Sequence, residues 1–335
     1  MTIEGPLAAG IAAWFPGATG IARLQRLSGG ASQETWSFDV LHPDGIIGAI
    51  LRRAPEGHSA APDRAAGLET EAALMQAAHC AGIPSPRVRH VLQPQDGLGS
   101  GFVMERVEGE TIPRKILRDA EFAKARAVLV PQLGRAIAGI HALDTARLPP
   151  LRQISAASDL ADLARDYAAF GWPRPVFDLA IRWLRDHLPE PSKAVTLVHG
   201  DFRMGNLIVG PEGLRAVLDW ELAHLGDPME DLGWICVNSW RFGEIDKPVG
   251  GVGAREELFA AYEAASGRPV DARRVRFWEV LGTLRWGMMC CGMMQRFRAA
   301  PDGAMERAMI GRRASETEID LLRLLAPRHG GGRAG

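Results

Sequence analysis

The chain has 335 residues, 47% of them hydrophobic and 24% charged, with 39 Lys and Arg against 40 Asp and Glu for a formal net charge of −1. This composition excludes a fibre or a disordered chain, and the length calls for two packed lobes rather than one core. So even a charge balance supplies no attraction for nucleic acid or an anionic membrane, and neither is expected as a partner.

The N-terminus, Met1-Thr2-Ile3-Glu4-Gly5-Pro6, lacks the basic start of a secretory signal, and the apolar stretch 7–15 is short and rich in Ala and Gly, so export is not expected. Residues 21–27, 35–41 and 46–52 read as strands. The last two are joined through Asp44-Gly45, a strong hairpin signal, which predicts an antiparallel meander. Residues 64–81 have helical period and stop at Gly82, with Pro84 and Pro86 beyond. Two more strands, 87–92 and 101–107, flank a Gly-rich turn. Near Gly109 the pattern shifts to long Ala/Leu/Arg helices, at 120–143, 159–170 and 175–188. Short β-rich pieces follow at 194–198, 207–209 and 214–218, with Pro211-Glu212-Gly213 as a turn. Helices return at 229–240, 254–266, 275–297 and 305–325. Of the polar residues in the turn before the first of these, Asp227 is expected to cap the helix that opens at Pro228.

The most apolar run, Met288 to Met294, is far shorter than a membrane span and belongs in a core. Four cysteines without a C-x-x-C pair form neither a disulfide framework nor a zinc site, which fits a reducing cytoplasm. The stretch Gly97-Leu98-Gly99-Ser100-Gly101 precedes a strand and is no dinucleotide fingerprint, and no G-x-S-x-G elbow exists for a serine hydrolase.

The polar residues that carry chemistry cluster in Val198-His199-Gly200-Asp201-Phe202-Arg203-Met204-Gly205-Asn206, which sets an Asp and an Asn five positions apart between two short strands. Thirteen residues later Asp219 ends an apolar strand. Phosphoryl transfer of the kinase type needs a carboxylate beside the attacking hydroxyl, and an amide oxygen and a second carboxylate to hold Mg²⁺ against phosphates. Asp201, Asn206 and Asp219 supply these three groups at the spacing of a kinase catalytic loop. Asp201, ionised at neutral pH, is expected to orient the hydroxyl and accept its proton late. His199 is expected to shape the loop by a hydrogen bond. Glu221 either reaches the metal through water or anchors the loop.

His199-Gly200-Asp201 through Asn206, followed by Asp219-Trp220-Glu221, resembles the aminoglycoside phosphotransferase and choline kinase-like superfamily. More narrowly, it is similar to the bacterial phosphotransferases that resemble kinase-like modules fused to acyl-CoA dehydrogenases. The resemblance covers nearly the whole chain. It implies an α+β, protein kinase-like two-lobe fold, with a small antiparallel-sheet N-lobe (1–108) and a large helical C-lobe (109–335), and nucleotide in the cleft. It further implies ATP and Mg²⁺ as cofactors and a small-molecule hydroxyl as acceptor. Ser28, Gly29, Gly30, Ala31 and Ser32 resemble the phosphate loop, where glycine lets backbone N–H groups approach a phosphate. Arg52 stands where kinases carry a phosphate-gripping Lys, and arginine can hold phosphate bidentately. Glu71 stands where the family places the acid that pairs with this cation. Met104, Glu105 and Val107 resemble the hinge on the adenine edge.

The acceptor is less defined. Residues 151–190 hold five Arg against six Asp and Glu, too balanced for a polycationic aminoglycoside. Trp278, Leu281, Arg285, Met288 and Met289 lie at helical spacing on the long helix as one apolar stripe with a cation in it, which reads as plain core or, with Trp286, as the lining of a pocket for an apolar, anionic hydroxylated molecule such as a hydroxy acid or its acyl thioester. The replacement of Lys by Arg52 keeps open a second class, a catalytically inactive kinase fold that binds nucleotide or a partner.

Overall fold

Alternation of apolar residues along three early strands builds the main sheet. The structure, a computed structural model, describes residues 3–27, 33–54, 65–299 and 305–326. Contacts divide the chain into two units. The first comprises Met1–Gln153, Thr196–Leu225 and Glu256–Arg268, and the second Ile154–Val195, Gly226–Arg255 and Pro269–Gly335.

In the first unit β1 (Gly20–Leu27), β2 (Glu34–His42) and β3 (Gly45–Arg53) form the expected antiparallel meander. Strands β4 (Val88–Val91) and β5 (Gly101–Glu105) extend it in the order β1-β2-β3-β5-β4. One face buries Phe38, Val40, Ala49, Leu51 and Val103 against Leu7, Ile11 and Trp14 of helix α1 (Glu4–Trp14). The sequence reading does not anticipate α1, because Ala and Gly dilute the i, i+4, i+7 spacing of its three large apolar residues. The opposite face carries the site. Register pairs Arg52 with Phe102 and Ile50 with Met104, so Arg52 and Met104 share that face with the period-two alternation of β3. Helix α2 (Leu68–Cys80) buries Glu71, Leu74, Met75 and Ala78 and packs on β4 and β5.

Beyond the sheet the first unit contains α3 (Pro113–Arg118), α4 (Ala123–His141), β6 (Thr196–Val198), the hairpin of β7 (Leu207–Gly210) and β8 (Gly213–Val217), and β9 (His224–Gly226), which pairs with β6. His224, without a role in the sequence reading, opens β9.

The second unit is helical, with α5 (Ala156–Phe170), α6 (Pro175–Asp186) and α7 (Met229–Trp234). The helix α8 (Arg255–Ser266) lies almost wholly in the first unit. The second unit then continues with α9 (Ala272–Ala299), α10 (Met305–Gly311) and α11 (Ala314–Leu325). Ser155 opens α5 by accepting from the Ser158 N–H at 3.1 Å. Helix α9 is the axis on which α7, α10 and α11 pack.

Two predicted helices end early. The segment 229–240 leaves the helix after Trp234. Extended Val237 then turns Trp240 onto Trp286, with ring centroids 4.9 Å apart, and Arg241 satisfies the freed Cys236 carbonyl at 2.6 and 3.1 Å. The segment 305–325 breaks into α10 and α11 at Gly311, which sits against Met294 of α9. Asp227 accepts from the Met229 N–H at 3.0 Å, near the predicted capping place. Among the described residues no helix is long and apolar enough to cross a membrane, and Cys80, Cys236, Cys290 and Cys291 are unbridged.

The packing on α9 gives two glycines opposite values. A Cβ on Gly233 would stand 2.6 Å from the Trp278 Cβ and 2.9 Å from the α9 backbone, whereas on Gly292 the nearest atom is 3.8 Å away. Gly233→Ala is expected to cost roughly 1–3 kcal/mol by overpacking. Gly292→Ala is expected to gain about 0.5–1 kcal/mol by restricting the unfolded chain. Urea unfolding of the two variants checks the opposite signs.

Candidate active site

The loop between β6 and β7 is shaped by a glycine no other residue can replace. Gly200 has φ +79°, and a Cβ there would lie 2.5 Å from the Leu222 carbonyl oxygen. The turn places fully buried His199 so that its Nδ1 accepts from the Asp201 N–H at 3.2 Å. The other nitrogen, Nε2, therefore carries the proton and donates to the Leu218 carbonyl at 3.1 Å. From the other side the Leu218 N–H donates to the Asn206 carbonyl at 2.8 Å. The Leu218 peptide thus ties the loop to the residue that follows it, Asp219.

Side chains continue the convergence. Asn206 Nδ2 donates to the Asp201 carboxylate at 2.6 Å and to the Asp201 carbonyl at 3.0 Å. Both amide protons point at acceptors, so the amide oxygen is the atom turned elsewhere. Asp219 occupies the left-handed region, φ +66° and ψ +67°, where only Gly, Asn and Asp are readily found. Arg203 donates from Nε to both Asp201 oxygens, at 3.0 and 3.2 Å. The sequence reading passed over Arg203; its place two residues after Asp201, inside the loop, was the available signal.

Arg52 reaches this group from β3. Its guanidinium stands 2.7 Å from Asp219, 3.0 Å from Glu71 and 3.9 Å from Glu221, and its Nε donates to Gln33. Gln33 also donates to Glu221 at 3.4 Å. Burial pulls the Arg52 pKa down, but Glu71, Asp219 and Glu221 outweigh it and hold the group above its ordinary value. Glu71 is completely buried on α2, faced by the Arg52 guanidinium and the Trp220 N–H. Burial pushes its carboxyl from 4.5 up to about 7 against the pull of Arg52. Burial and then Asp219 raise Glu221 as well.

Asn206 and Asp219 offer hard oxygen atoms, a donor chemistry that fits Mg²⁺, which keeps waters and shares itself between one or two protein oxygens and phosphates. The pattern of the Phosphotransferase enzyme family matches residues 23–278, a span that contains Arg52, Glu71, Asp201, Asn206 and Asp219. The chain belongs to this family.

The chain is 29% identical over 287 residues to mouse acyl-CoA dehydrogenase family member 10, a match covering 80% of the chain and 25% of that relative. It is 25% identical over 338 residues to chicken acyl-CoA dehydrogenase family member 11, covering 92% and 41% respectively. The chain therefore spans a quarter to two fifths of the length of these relatives. Among solved structures, a choline/ethanolamine kinase family protein from Mesorhizobium loti aligns with TM-score 0.63 at 20% identity over 96% of this chain and 95% of that one. A spectinomycin phosphotransferase in complex with ADP and spectinomycin aligns with TM-score 0.64 at 13% identity over 96% and 98%. At these identities they show the fold, which is kinase-like.

The other expected site residues are placed as follows. Ser28, Gly29, Gly30, Ala31 and Ser32 lie outside the described residues. Met104 is the penultimate residue of β5, on the Arg52 face, Glu105 ends the strand with its side chain paired to Arg89, and Val107 lies just past β5. Arg285, Trp286 and Met289 call for a correction. The guanidinium of Arg285 is paired with Asp159 and stands 3.2 Å from Glu230, both buried on the helices around α9. It is thereby already neutralised and has no spare charge for an anionic acceptor. Trp286 packs on Trp240, and Met289 is 43% exposed. Trp278, Leu281 and Met288 of the same stripe are core.

Two outcomes follow from these charges. The folded state holds the Glu71 proton more tightly than the unfolded chain. Metal-free protein should therefore lose stability as pH rises from about 4.5 to about 7, with no further loss from this group above. Urea unfolding in chelator at pH 5, 6 and 7 should show a shallower slope for Glu71→Gln than for the parent. Arg285→Ala leaves two buried carboxylates without their cation and should cost roughly 3–5 kcal/mol, read as a lowered unfolding midpoint.

Proposed function

We propose that the protein transfers the terminal phosphate of ATP, with Mg²⁺, onto a hydroxyl of a small molecule. The observation that carries this reading is the joining of Asp201, Asn206 and the Asp219 strand end through one set of short hydrogen bonds. Asp201, held by Arg203 and Asn206, orients the acceptor hydroxyl and takes its proton as the bond to phosphorus forms. The Asn206 oxygen and Asp219 hold Mg²⁺, which when bound neutralises charge on the phosphates. Arg52 grips phosphate and Glu71 holds Arg52. His199 fixes the loop, and Glu221 adds negative charge beside the metal carboxylate. The Arg52 and Met104 face of the sheet would take the nucleotide, with the Glu105 carbonyl and the Val107 N–H available to its adenine edge. ADP in the spectinomycin phosphotransferase supports the choice of an adenine nucleotide.

In this reading residues 1–108 form the nucleotide lobe and 109–335 the lobe with the catalytic loop and acceptor site. The relatives are acyl-CoA dehydrogenase family members, which favours a hydroxy acid or its acyl thioester over an aminoglycoside as acceptor. The near-neutral charge argues against nucleic acid or membrane as partner, and four unbridged cysteines fit a reducing cytoplasm.

Purified protein with Mg-ATP should release ADP with at least one member of a panel of hydroxy acids, their thioesters and simple alcohols. Asp201→Asn should lower that turnover by about 10²–10⁴-fold with nucleotide binding retained, whereas Asp219→Ala should weaken Mg-ATP binding itself. Full activity of Asp201→Asn, or nucleotide binding without turnover across the whole panel, would end the assignment.

A further inference from the structure

The second unit holds a cavity of about 560 Å³ lined by none of the residues assigned above. It lies among the segment leading into α6, the C-terminal half of α9 and the junction of α10 with α11. Its size is that of a small-molecule site. Trp172, Met294 and Cys291 supply apolar surface, and burial raises the Cys291 pKa, so its thiol lines the wall uncharged.

The charged groups are unevenly matched. Arg174, Arg298 and Arg312 face a single carboxylate, Glu318. Arg174 is paired with Glu318 at 2.8 Å. Arg298 lies over the Trp172 ring at 4.9 Å, and among the described residues neither Arg298 nor Arg312 has a carboxylate within ion-pair distance. Three cations and one anion leave the lining at a formal +2.

The walls are fixed by their own bonds. Tyr167 Oη accepts from the Arg174 N–H at 2.7 Å and donates to the Arg174 carbonyl at 3.1 Å. Ser315 Oγ donates to the Arg312 carbonyl at 3.1 Å. A Cβ on Gly311 would stand 2.9 Å from the Met294 Cβ, so α10 and α9 are already in close contact there. An apolar hollow edged by two guanidinium groups with no carboxylate partner among the described residues has the chemistry of a receptor for an amphipathic anion.

We propose that this cavity is a ligand site for an organic anion whose carboxylate or phosphate meets Arg298 and Arg312 while its apolar body lies against Trp172 and Met294. The proposal is independent of the catalytic assignment, because it uses none of those residues. Titration calorimetry on the full chain with decanoate, decyl phosphate and decanol, each below its micelle concentration, tests it.

One-site binding of decanoate or decyl phosphate is expected, at least about tenfold tighter than decanol and weakening with added salt. A preference between the two anions then names the head group. The double variant Arg298→Glu, Arg312→Glu should lose at least about tenfold in affinity; both positions are exposed, and an unchanged melting temperature shows that the fold survives. Met294→Trp, which fills the cavity without altering charge, should also abolish binding, whereas Asp201→Asn should leave it intact. Absence of saturable binding to both anions, or binding unchanged in the two cavity variants, overturns the proposal.

Discussion

The site depends on one guanidinium shared among three carboxylates. Arg52 joins β3 to α2 through Glu71 and to the segment after β8 through Asp219, with Glu221 a little further off. One cation against three anions leaves a formal charge of −2, partly relieved because burial raises the carboxyl pKa values of Glu71 and Glu221. Under the proposed function such a site would repel a bare triphosphate and attract a divalent cation, so that metal and nucleotide would favour each other's entry. It also gives a reason for arginine where a lysine is usual. An ammonium is a point charge, whereas the planar fork reaches Glu71 from one terminal nitrogen, Asp219 from the other and Gln33 from Nε.

Backbone constraints set the remaining geometry. Gly200 is left-handed because the Leu222 carbonyl passes where a side chain would be, and Asp219 is left-handed without being glycine. The Asp219 conformation costs free energy and persists because hydrogen bonds on each side of Leu218 over-determine it. The polar groups of the proposed chemistry are therefore held by main-chain bonds rather than by side-chain packing alone. This suits a transfer in which positioning and charge placement supply most of the rate.

Much of this was legible in the amino-acid order. The meander, its Asp44-Gly45 connection and the polar loop at 199–206 follow from period, turn chemistry and spacing, which are local properties. Helix α1 was not legible because its three large apolar residues are separated by Ala and Gly that carry no periodic signal. The early ends of α7 and α10 were not legible either. They are imposed by Trp240 packing on Trp286 and by Gly311 packing on Met294, partners that lie outside each helix's own local pattern. Arg203 was visible as a residue, but its donation to both oxygens of Asp201 depends on the sharp turn that Gly200 permits.

Arg285 shows a limit of a different kind. Its position in an apolar helical stripe suggested a cation awaiting an anion, yet Asp159 and Glu230, over a hundred and about fifty residues away, already neutralise it. A sequence records how many charges a helix carries, whereas recognition depends on which of them the fold leaves unmatched. On the same helix, one cation is spent on holding α5 and α7 to α9, and Arg298, three turns further on, rests on an indole with no carboxylate beside it among the described residues. Burying a charge obliges the protein to pair it, and a charge at the rim of a hollow carries no such obligation. The first kind of arginine therefore stabilises the unit, and the second is available to select a ligand.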